Sequence, residues 1–260
     1  MERVGVSRRV IEPRHGTLSR VLLATLVLAH PLQVVAQGAV PSSIQKPMVL
    51  RWWHGVAALG GLSAFMLLDR PLQEFVQGDR SASKDELANS IRHFGQIEVY
   101  GTVTAGLVAA GLLTGNDGLT RTGGRLAATL AFTGAAGMAS KLIAGRPRPE
   151  DSEDADGYVP FSGQGAMPSG HTAMAFAFAT ALADDIHRPW ASVGLYGLAT
   201  AVAWSRINDN RHWLTDVTAG ALVGITSAKL ASGRWRIFHL RSPSIIVGPA
   251  GAGLGWSAAF

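Results

Sequence analysis

Apolar residues are gathered into six stretches along the chain, at 55–68, 99–115, 126–140, 172–183, 190–205 and 217–228. Ala, Gly and Leu dominate them, and none shows the strict alternation of a half-buried strand. Gly115-Asn116-Asp117-Gly118 and Arg188-Pro189 fall in the gaps, where helices stop and turns form. The pattern predicts six helices packed as a bundle, with small residues letting backbones approach closely. Between the first two stretches, residues 73–89 read as a polar connector with some helix, and 150–165 as an acidic, glycine-containing loop. After Pro243 the character changes. Residues 245–248 and 254–260 flank a glycine-rich turn and predict a short C-terminal β-hairpin on an otherwise all-α fold.

The first 36 residues predict an export signal: Arg3, Arg8, Arg9, Arg14 and Arg20, then an apolar run at 21–29, then Val34-Val35-Ala36 as a cleavage site. The expected organisation is a leader at 1–36, a helical domain at 37–240 and a tail at 241–260. Charged residues make up 16% of the chain against 47% hydrophobic, where a soluble chain carries about 25% charge. That deficit points to a membrane-embedded bundle. Each uncharged run is shorter than the ~20 residues that a bilayer core needs, but Lys141 and Asp216 clip two of them and belong to the chemistry below.

The net charge of +5 owes much to the leader, and no basic stripe is interleaved with aromatics, so nucleic acid is not an expected partner. Cysteine is absent, which excludes disulfides, thiol catalysis and cysteine metal sites. The loops with Arg121, Arg125, Arg188, Arg234, Arg236 and Arg241 fall on one side of a six-helix arrangement, which the positive-inside rule makes cytoplasmic. A cleaved leader followed by six crossings would reverse this. Three resolutions stay open: the 55–68 stretch does not cross, the N-terminal run is not a crossing, or the protein is a soluble exported bundle.

Three segments carry chemistry. At 141–149 the chain reads K-L-I-A-G-R-P-R-P, which sets a lysine at a helix end and two arginines in a stiff turn. At 168–171 it reads P-S-G-H. There Ser169 suits a helix N-cap, Gly170 lets a ligand approach the backbone, and the first-turn amides attract an anion that His171 can reach. At 205–216 it reads S-R-I-N-D-N-R-H-W-L-T-D. His212 and Asp216 are four apart and share a face if both lie on one helix, and Arg206 offers a planar fork for phosphate. Singly, each segment is explained by an ordinary cap, a solvated pair or a dipole-complementing cation. Together they supply fixed cations for an oxyanion, a histidine oriented by a carboxylate for attack, and another for proton transfer.

With all three in order, the chain resembles the type 2 phosphatidic acid phosphatase and vanadium haloperoxidase superfamily, whose signature is K-x6-R-P, P-S-G-H and S-R-x5-H-x3-D. Lys141 with Arg148-Pro149 fits the first part, while Arg146-Pro147 stands two residues too early and is set aside. Residues 168–171 fit the second part, and Ser205, Arg206, His212 and Asp216 the third. The resemblance implies that His212 is the nucleophile and forms a phosphohistidine, and that Asp216 orients it. It also implies that His171 protonates the leaving group and later activates water, while Lys141, Arg148, Ser169, Gly170 and Arg206 clamp the phosphate. No cofactor and no metal are implied.

The expected reaction is hydrolysis of a phosphomonoester or diphosphate, on a lipid phosphate at the outer side of the cytoplasmic membrane. A soluble periplasmic acid phosphatase acting on small phosphoesters and a vanadate-dependent haloperoxidase remain as alternatives. Oligomeric state is left open.

Overall fold

In a computed structural model of the chain the described residues are 47–237, 244–248 and 251–255, so the leader expected at 1–36 lies outside them. The elements run β1 (Met48–Leu50), α1 (Trp52–Met66), α2 (Asp69–Gly78), α3 (Ala82–Arg92), a 3-10 turn (His93–Gly95), α4 (Ile97–Thr114) and α5 (Asp117–Ala144). They continue with α6 (Gly170–Ile186), α7 (Pro189–Asn208), α8 (Leu214–Ala231), β2 (Trp235–Ile237), β3 (Ser244–Gly248) and β4 (Gly251–Gly255). The six apolar stretches correspond to α1 and α4 to α8. The polar connector resolves into α2 and α3. A tail hairpin forms with β3 antiparallel to β4, but its second strand is 251–255, mostly in the glycine-rich segment expected as the turn, and 256–260 lie outside the described residues. The parallel pairing of β1 with β2 is not legible in the pattern.

Helix ends follow local chemistry. The Asn116 side chain accepts from the amides of Gly118 and Leu119 at 3.0 and 3.2 Å and starts α5. Gly145 ends it in the left-handed region, with φ 54°, and donates its amide to the Lys141 carbonyl at 2.9 Å. A Cβ there would overlap the Val159 carbonyl, so both conformation and space require glycine. α5 is 28 residues long, well beyond its apolar stretch, because Arg121, Arg125 and Lys141 interrupt the hydrophobic run without interrupting the helix.

α6 is the central helix, packed on α5, α7 and α8. Its alanines at 173, 175, 177, 179, 181 and 183 are all buried, so helix partners surround it. α8 presses against it backbone to backbone. A Cβ on Gly220 would lie 2.6 Å from the Ser169 carbonyl oxygen, and one on Gly224 would overlap the Ala173 carbonyl and lie 2.7 Å from the Ala177 amide. This contact brings the start of α6, with its P-S-G-H segment, against the start of α8. Outward faces remain apolar: Leu113 is 87% exposed, Val193 75% and Met138 73%, and α1 has no buried residue.

Gly224→Ala is expected to wedge α6 and α8 apart and destabilise the fold by about 2 kcal/mol, in the usual range for overpacking. Gly106→Ala on α4, where a Cβ meets nothing within 4 Å, serves as the control and should be neutral or slightly stabilising. Thermal unfolding of the two variants in one detergent compares them directly.

Candidate active site

The candidate residues gather where four helix ends meet: the end of α5 with the loop after it, the start of α6, the end of α7 and the start of α8. His212 lies in the short link between α7 and α8 and is 4% exposed. α2 and α3 brace the region around it. Gln77 donates to the Ile207 and Asn208 carbonyls at 3.1 and 3.3 Å, Gln73 donates to the Asn210 side chain, and Asn208 donates to Asp85 at 2.9 Å.

His212 and Asp216 do not share a helix as their spacing suggests, because α8 begins only at Leu214. Asp216 instead sits in the first turn and reaches back. Its Oδ2 accepts the Trp213 amide at 2.9 Å and lies 3.5 Å from His212 Nδ1. That separation is an electrostatic contact rather than a formed hydrogen bond, and Nδ1 has no other acceptor among the described residues. Burial lowers the His212 pKa from its ordinary value. Asp216 opposes the shift, while Lys141 and Arg206 add to it. The net effect favours the neutral imidazole.

Arg206, at the end of α7, is 7% exposed and donates through Nη1 to Asp209 at 2.8 Å, while its Nε has no acceptor among the described residues. Lys141 donates to the Gly165 carbonyl and lies within electrostatic reach of Arg148, Asp216 and His212. Arg148 is the most open of the three, with Glu150 at 3.5 Å. Glu150 also pairs with Arg211, so the acidic loop is tied to the site's rim rather than simply solvated.

At the start of α6, Ser169 occupies the N-cap position but makes no side-chain cap bond. Its hydroxyl accepts from Thr172 at 3.0 Å, and its amide donates to the Asp216 carbonyl at 2.9 Å, so the P-S-G-H segment is hydrogen-bonded to the residue behind the nucleophile candidate. Gly170 opens the helix with its first-turn amide facing outward from the helix end. His171 packs against Gly95, where a Cβ would stand 2.9 Å from its own Cβ, and it interacts electrostatically with Arg206 and His212.

Spacing sets Arg146 aside, yet it is the largest fully buried side chain among the described residues. Its Nη1 donates to Asp216 Oδ1 at 2.8 Å and its Nη2 to Asp69 Oδ2 at 2.6 Å, while Nε and Nη2 both donate to the Ala155 carbonyl at 2.9 and 2.7 Å. The guanidinium lies over the Tyr158 and Trp213 rings, 5.1 and 5.5 Å from their centroids. Asp69, also fully buried, accepts from the Thr215 amide at 2.8 Å and its hydroxyl at 2.5 Å. Burial alone would lower the Arg146 pKa, but Asp216 and Asp69 outweigh it and hold the charge in place. A charge at a glycine–arginine–proline bend in a chain so poor in charge was the available signal, since it must find a buried partner or face water.

Residues 122–237 match the family model described as PAP2 superfamily. The lipid A 1-phosphatase of Porphyromonas gingivalis is 43% identical over 108 residues, covering 41% of this chain, and the chain spans only 22% of that relative's length. Among solved structures, that of Aquifex aeolicus LpxE has a TM-score of 0.49 at 22% identity, covering 63% of this chain and 94% of that one. The first transmembrane PAP2 type phosphatidylglycerolphosphate phosphatase from Bacillus subtilis has a TM-score of 0.48 at 18% identity, covering 68% and 94%. The match to the PAP2 superfamily model takes in the segment that holds all three motifs.

Proposed function

We propose that this chain is a membrane-embedded phosphatase that hydrolyses a lipid phosphate through a phosphohistidine on His212, without a metal. The observation that carries the reading is the meeting of a buried histidine, a carboxylate at its Nδ1 and the cations Lys141, Arg148 and Arg206 at one end of the bundle. Nε2 of His212 attacks phosphorus while the bond to the leaving alcohol oxygen breaks, and His171 donates the proton that this oxygen needs. A phosphate held between His171 and Arg206 favours the protonated form of His171. Water then gives its proton to His171 and displaces His212, releasing inorganic phosphate. The cations and the Gly170 amide neutralise the charge that builds on the equatorial oxygens, and the Ser169 hydroxyl stands beside them.

Apolar surface supports the lipid assignment. α4 and α5 are long and apolar enough to cross a membrane, and only 17% of the α4 window is buried inside the protein. α1 and α2 qualify together as a span bent by 48°. Exposed apolar area on this scale suits acyl chains rather than water. The name of the Porphyromonas gingivalis relative makes a phosphorylated glycolipid the first substrate to test.

The orientation follows from charge. α8 runs away from the site for about 27 Å at 1.5 Å per residue, and β2 after it pairs with β1, so both lie at the far end. That end carries Arg51, Arg121, Arg125, Arg188, Lys229, Arg234 and Arg236. The positive-inside rule makes it cytoplasmic and turns the site outward.

Purified protein should release phosphate from a phosphorylated glycolipid or a short-chain phosphatidate in mixed micelles faster than from a soluble aryl phosphate. Activity on the aryl phosphate alone, or halide oxidation requiring vanadate, would replace this reading. His212→Ala is expected to lower kcat by at least ~1000-fold, and unchanged hydrolysis would remove the mechanism. A fluorescent protein fused after Ile237 should fluoresce and an alkaline phosphatase fused there should be inactive; the reverse pattern would invert the orientation.

A further inference from the structure

We infer that Asp69 and Arg146 are positioning residues for the nucleophile, forming with Asp216 a buried relay that runs from the α1–α2 bend to His212 and sets that histidine's orientation and basicity. The inference rests on the proposed role of His212.

Each link is made by the chain's own geometry. Asp69, the first residue of α2, holds the start of α8 through both the amide and the hydroxyl of Thr215. Its Oδ2 also receives Arg146, whose other terminal nitrogen takes Oδ1 of Asp216. That leaves Oδ2 of Asp216 for the Trp213 amide and His212. Asp216 is thus gripped on both oxygens, and its carboxylate plane is fixed before any substrate arrives. Four donated bonds and two flanking rings use the guanidinium's flat shape, which an ammonium cannot reproduce. None of these four side chains has more than a trace of solvent exposure, so water does not screen the charges.

The relay carries two carboxylates and one guanidinium, so part of the Asp216 charge is spent on Arg146 rather than on His212. Removing Arg146 should make Asp216 a stronger partner for the imidazole and raise the His212 pKa. Removing the Asp69 charge should leave Arg146 wholly to Asp216 and lower it. The other groups that interact with His212 are His171 from α6, Lys141 from α5 and Arg206 from α7, with Arg148 from the loop after α5 acting on Lys141 and Arg206, and these stay constant in the comparison.

The test is a titration of His212 by NMR in histidine-labelled full-length protein in detergent, assigned by the signal missing from His212→Gln. Kinetics are measured on the same samples with a soluble aryl phosphate and short-chain phosphatidate. Arg146→Met should move the His212 midpoint upward and Asp69→Asn downward. Arg146→Met should cut kcat about 100-fold, as misplacement of a reacting group does, with KM nearly constant because the phosphate cations are intact. Arg146→Lys should recover little.

If Arg146→Met does not fold, the double variant Asp69→Leu/Arg146→Met replaces the outer ion pair with apolar groups and is read in the same way. Midpoints that stay put in Asp69→Asn and in the folded Arg146 variant, with kcat unchanged, would overturn the relay. Should His212→Ala keep full activity while the midpoints move in opposite directions, the mechanism fails and the relay stands.

Discussion

The interaction on which this structure depends is the enclosure of one guanidinium. Arg146 stands where the loop after α5, the bend before α2 and the start of α8 come together, and it joins carboxylates from two helices. Removing a charged group from water is costly, and only paired carboxylates, a carbonyl and aromatic faces in fixed places offset that cost. Once they are in place, α2, α8 and the loop cannot move independently. Asp216 is immobilised by this arrangement and presents its remaining oxygen toward His212.

A second constraint works from the other side. α6 and α8 touch along their backbones at Gly220 and Gly224, which brings the Ser169 amide onto the Asp216 carbonyl. Asp216 is therefore held by its side chain from the loop and by its main chain from α6. The cations behave differently. Arg206 retains a buried Nε without an acceptor among the described residues, and Arg148 stands in the open at the rim. The candidate site is thus rigid behind the histidine, while in front of it one buried donor, Arg206 Nε, is left for an incoming anion.

Much of this was legible in the sequence, and the omissions have physical causes. Uninterrupted apolar stretches mark α1 and α4 to α8 because buried or lipid-facing helices need them, but they understate α5, whose ends carry charge. The motif spacing picks out His212, Asp216, His171 and Arg206 as candidates, and the folded chain brings them within electrostatic reach of one another. It misplaces His212 within a helix, because a spacing of four fits equally a residue ahead of α8 and a first-turn carboxylate reaching back to it. Ser169 stands at its predicted cap position, yet its hydroxyl serves Thr172. Asp69 and Arg146 leave no periodic trace at all. One reads as an acidic residue at a helix start and the other as half of an Arg-Pro repeat, and only the folded chain reveals that they meet.

The central claim is that phosphoryl transfer passes through His212, and trapping the covalent enzyme tests it most directly. Rapid quench of the full-length protein with labelled phosphatidate in micelles, followed by peptide mapping, should find an acid-labile, alkali-stable phosphoryl group on His212. Label on any other side chain, or burst-free turnover with no labelled enzyme under conditions that slow the second step, would contradict the account.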